Sequence, residues 1–419
     1  MDAPVTIVGA GPAGLALARE LQRSGLRPAL LERGRVGETW ARQYQGLRLH
    51  ALARASSLPG MPWRGTAGPF PSAEEMVAYL RAYARRFDLD VHEGVTVEAA
   101  QRSSEGDAPL PGWQLRTDRG RWITRRLVMT TGIWSAPFEP ALPGRDTYQG
   151  RVLHVSAYRD PAEFVGARVL VVGVGNSGKD VALAAARVGA SASVAVRGGV
   201  LFVPYPNAIT QHAGALWRRL PPPLADGLLR RVRRQPNVPG LRWPERPPSA
   251  VYPVVGLELL DAVRRDRVRV RHAMAAFTSH GARFTDGSED AFDVIVLCTG
   301  YRPALDPVAA HLRWGDDGLP LTDDSGYRAA GAPGLYLLGY RYPTLETWLQ
   351  RLRREAPAAA QVIAADMRAV ADERAVADGA RSEVDSRPVR ERGRCTDALP
   401  GFLAEAEVVP DVLCALRWT

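Results

Sequence analysis

Apolar and polar positions follow one another along the chain in a pattern that predicts strands alternating with helices. Residues 5–8 form a short apolar run that ends in a glycine turn, a helix-like stretch follows to about residue 24, and residues 29–31 are apolar again. This order is typical of a βαβ unit, whose two strands are parallel. Residues 168–172 begin a second such unit, which returns at residues 192–196. The sequence therefore contains two related copies of one supersecondary unit.

The rest of the pattern adds further strands and helices to these two units. Ser72 and Glu75 have the spacing of a capping box, and the apolar residues after them recur with the helical period. The other predicted elements are strands between residues 91 and 129, at 292–297 and at 335–338, and helices at 256–265 and at 345–376, with an interruption at Pro357.

Composition removes several classes of protein from consideration. The 419 residues are 46% hydrophobic and 24% charged, which is typical of a globular protein and leaves enough apolar material for two cores. The formal charge is +9, but Lys179 is the only lysine, so the excess arginine is typical of a biased composition rather than a nucleic-acid surface. The three cysteines form no CxxC pair, which argues against a metal site or a dithiol centre.

No apolar run approaches the roughly 20 residues that a membrane helix needs, and no basic segment precedes the first predicted strand. We therefore expect a soluble cytoplasmic protein without a membrane or nucleic-acid partner.

The first glycine loop has the residues of a dinucleotide site. Gly9 permits a tight turn, Gly11 allows a pyrophosphate to approach the backbone, and Gly14 allows the helix to pack closely on the strand. Glu32 ends the next predicted strand, where a carboxylate can accept hydrogen bonds from the hydroxyls of an adenosine ribose. The cofactor-binding candidates of this region are Gly9, Gly11, Pro12, Ala13, Gly14, Glu32 and Arg33.

The second glycine loop differs from the first at the end of its return strand. The residue there is Arg197, and a guanidinium binds a 2′-phosphate that a carboxylate would repel. We therefore expect this site to prefer NADPH to NADH; the alternative is that Arg197 is an ordinary surface arginine. The candidates here are Gly173, Gly175, Asn176, Ser177, Gly178 and Arg197.

Two dinucleotide sites at these positions predict FAD in the first, NADPH in the second, and hydride transfer from NADPH to FAD. The expected fold class is α/β, with two nested Rossmann-like domains, the second inserted in the first. The predicted boundaries are 1–163 and 290–376 for the FAD domain, 164–289 for the NADPH domain with a proline-rich insertion at 200–253, and 377–419 for a C-terminal tail that is flexible in part.

The segment before the second loop resembles the fingerprint of the class B flavin monooxygenases, F-x-G-x-x-x-H-x-x-x-[YFW]. Gly150, His154 and Tyr158 match it, and Tyr148 stands where the family has Phe. This family comprises the flavin-containing monooxygenases, the plant YUCCA-type enzymes and the Baeyer–Villiger enzymes, and the resemblance runs from about residue 5 to residue 365.

Other stretches carry the same resemblance. Residues 47–50 are similar to the L-x-L-H stretch of the YUCCA-type branch, which places His50 where the animal enzymes use an active-site Asn. Further family segments imply these cofactor-binding residues: Thr39 and Trp40 in G-x-x-W, Thr131 and Gly132 in the first linker motif, Thr299 and Gly300 in the second, and Gly339 beside the flavin ring.

The resemblance implies an NADPH- and FAD-dependent monooxygenase. Such an enzyme forms a C4a-(hydro)peroxyflavin and inserts one oxygen atom of O2 into a small organic substrate. N- or S-oxidation, oxidative decarboxylation of a 2-oxo acid and Baeyer–Villiger insertion all remain open, and the composition favours bacterial secondary metabolism. A flavoprotein reductase that inserts no oxygen, and a nucleotide-binding protein without chemistry, are the alternatives.

The resemblance implies His50, His154 and Tyr158 as catalytic candidates. Each has a structural alternative: His50 could pack against the flavin, and His154 and Tyr158 could fix the hinge between the domains. The aromatic residues of the insertion are candidates for substrate contacts from position and composition alone; they are Tyr205, Trp217 and Trp243. The sequence leaves the oligomeric state open.

Overall fold

The computed structural model describes residues 2–65, 68–103, 112–207, 220–232, 238–340 and 347–385. The chain divides into two units, Met1–Met367 and Arg368–Thr419. The sheets and the cavity described below belong to the first unit. Much of the predicted tail, and Trp217, lie outside the described residues.

Nineteen strands are described. In chain order they are β1 (Asp2–Val8), β2 (Ala29–Glu32), β3 (Asp90–Glu93), β4 (Val97–Arg102), β5 (Trp113–Thr117), β6 (Gly120–Met129), β7 (Ala136–Pro137), β8 (Arg151–His154), β9 (Arg168–Val172), β10 (Ser191–Ala195), β11 (Phe202–Val203), β12 (Val254–Val255), β13 (Val268–Arg271), β14 (Met274–Thr278), β15 (Gly281–Phe284), β16 (Glu289–Ala291), β17 (Val294–Leu297), β18 (Tyr301–Arg302) and β19 (Leu335–Leu337).

Seven α-helices are described. They are α1 (Pro12–Arg23), α2 (Glu38–Ala41), α3 (Ala73–Arg86), α4 (Asn176–Arg187), α5 (Pro222–Val232), α6 (Glu258–Arg264) and α7 (Trp348–Asp385). The predicted capping box is present at the start of α3, where Ser72 and Glu75 each bond the other's backbone N–H. It satisfies two of the amide donors that every helix start leaves free.

The first sheet has the order β3-β2-β1-β6-β5-β4, and β19 also pairs with β6. Its centre is parallel: Val8 is in register with Leu31 on one side and with Met129 on the other. Strand β1 is buried from Val5 to Val8 because helices cover one face and the segment around Leu305 covers the other. This burial explains why its sequence is a continuous apolar run rather than an alternating one.

The second sheet is parallel throughout, in the order β13-β10-β9-β17-β8. It includes β8 before, and β17 after, the segment 164–289 that the sequence predicts for this domain. Strand β17 is buried at all four positions because it lies between β8 and β9. Its apolar run matches a central strand of either sheet, and periodicity alone does not choose between them. The predicted fold class, α/β with two Rossmann-like units, is confirmed by the parallel centre of the first sheet and the fully parallel second sheet.

Helix α7 continues through Pro357, where the sequence predicts an interruption. A proline inside a helix costs about 3 kcal/mol because it removes a hydrogen bond and crowds the preceding turn. The face around this proline packs into the main core through Leu352, Ala356, Ala360 and Ile363, all buried. This burial offsets the local penalty. The helix ends at Asp385, so residues 377–385 of the predicted tail are helical.

Among the described residues, no helix is both long enough and apolar enough to cross a membrane.

Candidate active site

A cavity of about 960 Å³ lies where the two glycine loops face each other. This volume is at the upper end of the range for ligand pockets. The first loop contributes Gly9, Gly11 and Pro12 to its lining, and the second contributes Gly175 and Ser177. A ligand in this cavity can therefore contact both nucleotide-binding units at once.

The first loop has the geometry that its glycines predict. Gly9 has φ +103°, a left-handed conformation, and a Cβ there would lie 2.9 Å from the Thr130 carbonyl oxygen. A Cβ on Gly14 would lie 2.0 Å from the Gly9 carbonyl oxygen, so helix and turn can approach only without a side chain. At Gly11, by contrast, a Cβ would meet no protein atom within 4 Å. The open space at Gly11 is where a pyrophosphate can reach the start of α1.

The second loop repeats this geometry. Gly173 has φ +100°, and a Cβ on Gly178 would lie 2.1 Å from the Gly173 carbonyl oxygen. Gly175 again has open space, directly before α4. Both loops thus fit the pyrophosphate of a dinucleotide, by the same combination of one close contact and one open position.

Glu32 ends β2 and faces the cavity. Its carboxylate accepts a hydrogen bond from the Ala10 N–H at 2.8 Å and another from the Gly34 N–H at 3.0 Å. A carboxylate has about four acceptor positions. The two backbone donors therefore orient Glu32 and leave capacity for ribose hydroxyls.

Of the predicted site residues, fifteen line the cavity. They are Gly9, Gly11, Pro12, Glu32, Arg33, Thr39, Trp40, His50, Thr131, Gly132, Gly175, Asn176, Ser177, Gly178 and Gly300. The other eight lie outside its lining: Ala13, Gly14, His154, Tyr158, Gly173, Arg197, Thr299 and Gly339.

His154 is one of these eight, and its surroundings fit a linking role. Its Nε2 lies 3.0 Å from the Gly300 carbonyl oxygen, and its Nδ1 accepts the Ser156 N–H at 3.1 Å. Burial lowers the pKa of His154, despite the opposing effect of the Gly300 contact, so the ring is held neutral. The fingerprint histidine thus ties β8 to the segment after β17.

Tyr158 also lies outside the cavity lining. Its ring stacks on Phe164 at 5.1 Å between centroids and lies 5.5 Å from Tyr44. Burial raises its pKa, so the phenol is neutral. The structure therefore places Tyr158 in the core that packs against the second sheet, the structural alternative for this residue.

Arg197 is exposed just beyond the carboxyl end of β10, a strand of the second sheet. Gly339 ends the segment after β19, and its carbonyl oxygen accepts the Trp348 indole N–H at 3.0 Å. Thr299 donates from its hydroxyl to the Phe138 carbonyl oxygen. None of these three residues lines the cavity.

His50 lines the cavity, and behind it Nε2 lies 3.7 Å from Asp180 Oδ2. The apolar part of the wall is formed by these residues: Leu201, Val203, Pro204, Pro206, Tyr252, Pro253 and Tyr301. The cavity lining therefore combines an imidazole with a broad apolar surface.

Part of this apolar surface comes from the proline-rich insertion. Asn176 holds it, since its amide donates to the Pro253 carbonyl oxygen at 3.2 Å and accepts the Val255 N–H at 2.8 Å. Strands β11 and β12 pair in parallel beside this contact. Of the aromatic candidates for substrate contact, neither Tyr205 nor Trp243 lines the cavity.

Sequence reasoning missed Trp134 and Trp348, which line the cavity and meet edge to face at 5.5 Å. It also missed Tyr44 and Asp180, whose side chains are hydrogen-bonded at 2.8 Å. One feature of the sequence could have indicated Asp180. It directly follows Lys179, the only lysine of the chain, and the two form a pair of opposite charges immediately after the second glycine loop.

Comparison with known proteins gives relatives over most of the chain. Residues 6–204 match the family model described as pyridine nucleotide-disulphide oxidoreductase. The chain is 37% identical to the indole-3-pyruvate monooxygenase YUCCA1 of Oryza sativa subsp. japonica, over 71% of this chain and 76% of that protein. It is 32% identical to the probable indole-3-pyruvate monooxygenase YUCCA4 of Arabidopsis thaliana, over 80% and 84%.

A solved structure agrees with these relatives. The flavin-containing monooxygenase from Stenotrophomonas maltophilia superposes with a TM-score of 0.67 at 26% identity, covering 87% of this chain and 98% of that one. The disulphide chemistry in the family model's description needs a dithiol, and the sequence has no CxxC pair. The two sheets, the paired glycine loops and these relatives agree: the chain belongs to the class B flavin-dependent monooxygenases, oxidoreductases whose cofactors are FAD and NADPH.

Proposed function

We propose that the first glycine loop holds FAD and the second holds NADPH, with the reaction taking place in the cavity between them. Gly11 and Gly175 leave space for the two pyrophosphates, and Glu32 and Arg197 recognise the two adenosines. When bound, the two cofactors supply hydride transfer and oxygen activation.

The residues of this chain bind the cofactors and the substrate and form the environment in which the reaction takes place. The apolar wall around Leu201 and Tyr252 excludes water from the cavity. Thr131 is held in its place in the cavity lining by two hydrogen bonds. Its backbone N–H donates to the Tyr340 hydroxyl at 3.0 Å, and its own hydroxyl donates to the Ala304 carbonyl oxygen at 2.6 Å. His50 contacts the substrate and holds or releases a proton at its ring.

For the substrate we propose an aromatic 2-oxo acid of the indole-3-pyruvate type. The observation that carries this is the position of residues Leu47 to His50, the stretch that resembles the YUCCA-type branch, on the wall of an apolar cavity. The sequence identity to two indole-3-pyruvate monooxygenases supports it. A flat aromatic ring fits a wall of proline, leucine and tyrosine side chains.

The proposed reaction is an oxidative decarboxylation. The 2-oxo acid, O2, NADPH and one proton give the shortened carboxylic acid, CO2, NADP⁺ and water. The bond between the keto carbon and the carboxyl carbon breaks, one oxygen atom of O2 enters the new carboxyl group, and the other is reduced to water. Bacterial secondary metabolism, as the setting of this reaction, stays a prediction.

The test is a substrate screen with the FAD-loaded enzyme. Indole-3-pyruvate and phenylpyruvate are compared with an amine, a sulfide and a cyclic ketone, and NADPH consumption, O2 uptake and peroxide release are followed together. We expect an aromatic 2-oxo acid to suppress peroxide release and to give a product carboxylate that carries one ¹⁸O atom from ¹⁸O2.

Two outcomes would contradict the proposal. Coupling with the amine, the sulfide or the ketone alone would assign a different substrate class. Peroxide release equal to NADPH consumption with every compound would indicate a reductase without oxygen insertion.

A further inference from the structure

A partly buried ionic cluster adjoins the cavity, at the first turn of α4. Its cation is Lys179, the only lysine of the chain, with 1% of its side chain exposed. The ammonium donates to the Val255 carbonyl oxygen at 2.6 Å and to the Tyr205 hydroxyl at 3.2 Å, and it lies 3.2 Å from Asp180 Oδ1. A buried charge is costly unless such partners surround it, so these contacts are required for the fold.

Asp180 is the centre of this cluster. While Oδ1 faces Lys179, Oδ2 accepts the Tyr44 hydroxyl at 2.8 Å and lies 3.7 Å from His50 Nε2. Burial by itself would raise the pKa of Asp180, but the contacts with His50, Lys179 and Tyr44 outweigh it and hold the pKa below its ordinary value. Asp180 is therefore a fixed carboxylate.

Two side chains of the cluster line the cavity, as does Val255, whose backbone carbonyl oxygen accepts the Lys179 ammonium. His50 and Tyr44 line the cavity, whereas Lys179, Asp180 and Tyr205 do not. At 3.7 Å, Asp180 Oδ2 is beyond direct hydrogen-bond distance of His50 Nε2, but its negative charge favours a proton on that nitrogen. Of the contacts that Asp180 makes, those with His50 and Tyr44 reach residues of the cavity lining.

We propose that Asp180 is a positioning residue, which is anchored by Lys179 and Tyr44 and keeps the proton of His50 on Nε2, so that Nδ1 is the nitrogen offered to the substrate. This inference rests on the substrate contact proposed for His50. It goes beyond that contact, because it assigns a role to three residues that are neither glycine-loop residues nor part of the family fingerprint.

If the cluster had only a structural role, it would hold Tyr44 against the start of α4 without affecting the position of the proton on His50. The chain offers a matched control for this possibility. Asp366 also accepts a tyrosine hydroxyl, from Tyr336 at 2.6 Å, and also pairs with a cation, Arg328, at 2.7 Å. None of these three residues lines the cavity.

The first measurement needs no bound cofactor. In protein labelled with ¹⁵N-histidine, the ring nitrogen shifts of His50, assigned by comparison with His50→Gln, report which nitrogen carries the proton. We expect the Nε2-protonated form in the wild type and in Asp366→Asn, and a mixture of both tautomers in Asp180→Asn.

The second measurement is a double-mutant cycle on substrate-coupled oxygenation in the FAD-loaded enzyme. We expect Asp180→Asn to lower the coupled rate about tenfold. This is less than the roughly 10²–10⁴-fold contribution of a general acid or base itself, because His50 remains in place. In the His50→Gln background the same substitution should change the rate less than twofold, because its target is absent.

Asp180→Asn leaves the Lys179 charge buried without its carboxylate, so it can reduce folding yield. The variant carrying both Lys179→Met and Asp180→Asn removes the two charges together and preserves the volume, which is often neutral for stability. We expect it to show the same tautomer mixture and the same loss of coupled rate.

An unchanged His50 tautomer in both Asp180 variants would overturn the inference, as would an equal effect of Asp180→Asn with and without His50. Wild-type coupling in His50→Gln would overturn it together with the proposed role of His50. If no aromatic 2-oxo acid couples, the proposed substrate fails, whereas the tautomer measurement still decides the role of Asp180.

Discussion

Gly11 and Gly175 occupy equivalent positions, each directly before the helix of its glycine loop, and each has open space where a Cβ would lie. Their φ values, −76° and −100°, are accessible to any residue. A methyl group at either position therefore disturbs no protein contact, and it can interfere only with a bound pyrophosphate.

We expect Gly11→Ala to fold normally but to retain at least tenfold less FAD at a fixed FAD concentration, measured by the flavin absorbance of the dialysed protein. Gly175→Ala should retain FAD and show a raised KM for NADPH. Gly227→Ala, at an exposed position in α5, is the control: it should keep both cofactors and gain up to about 1 kcal/mol of stability. Normal FAD content in Gly11→Ala would contradict the assignment of the first loop.

Arg197 is tested by the choice between NADPH and NADH. If its guanidinium binds the 2′-phosphate, Arg197→Ala should lower kcat/KM for NADPH about tenfold or more and leave that for NADH nearly unchanged. Arg187→Ala, which removes an exposed arginine at the other end of the strand–helix unit, should change neither value. A wild-type preference for NADH would contradict the assignment.

At the scale of elements, one carboxylate joins two central strands of the second sheet. Asp293, directly before β17, accepts the backbone N–H of Arg168 at 2.8 Å and pairs with its guanidinium at 2.6 Å. These contacts lower the pKa of Asp293 to about 2, below the value of about 3.9 for an unfolded chain. A lowered folded pKa stabilises the protein above pH ~4, and this contribution is lost as the pH falls towards 2.

We therefore expect Asp293→Asn to be less stable than the wild type at pH 5, by less than about 1 kcal/mol because the pair is exposed to solvent. The difference in the free energy of unfolding should shrink as the pH is lowered from 5 to 3, as measured by urea titration. The matched control is Glu289→Gln, which removes the exposed pair with Arg283. It should lower the free energy of unfolding at pH 5 by less than about 1 kcal/mol, as expected for an exposed pair. A constant difference between wild type and Asp293→Asn from pH 5 to pH 3 would contradict the prediction.

Elements were predictable from the sequence where local chemistry decides them. The capping box at Ser72 and the turn at Gly9 depend on residues within a few positions of each other, and both were found. Pro357 and β17 were not assigned correctly, because tertiary packing decides them. Leu352 and its neighbours in the core carry the helix past the proline, and the partner strands decide which sheet takes the apolar run at 294–297.

The same limit applies to the site at the scale of the whole molecule. Both glycine loops were predictable because the cofactor needs fixed residues at fixed spacings. The contact between Tyr44 and Asp180 joins residues 136 positions apart, and nothing in the local pattern of either residue indicates the other. The placement of His154 behind the cavity, rather than on it, likewise follows from the way β8 and β17 pair.

Removing the flavin should destabilise the whole first unit. The cavity draws its lining from both glycine loops, so a bound dinucleotide adds contacts that the empty protein lacks. At a ligand concentration about 1,000 times the Kd, binding contributes about 4 kcal/mol. We expect the Tm to fall by several degrees on removal of FAD and to recover on its addition. Gly11→Ala should show a much smaller recovery, and equal recovery in both proteins would contradict the proposed location.

The attachment of the insertion has a consequence for how much change it tolerates. Among the described strands β11 pairs only with β12, and the Asn176 amide holds the β12 side through Pro253 and Val255. Val238 and Leu241, from the interval between these strands, are buried in the core of the second sheet, and the Tyr205 hydroxyl accepts the Lys179 ammonium. Deleting the whole interval would therefore expose apolar side chains of that core and leave the only lysine of the chain without one of its acceptors.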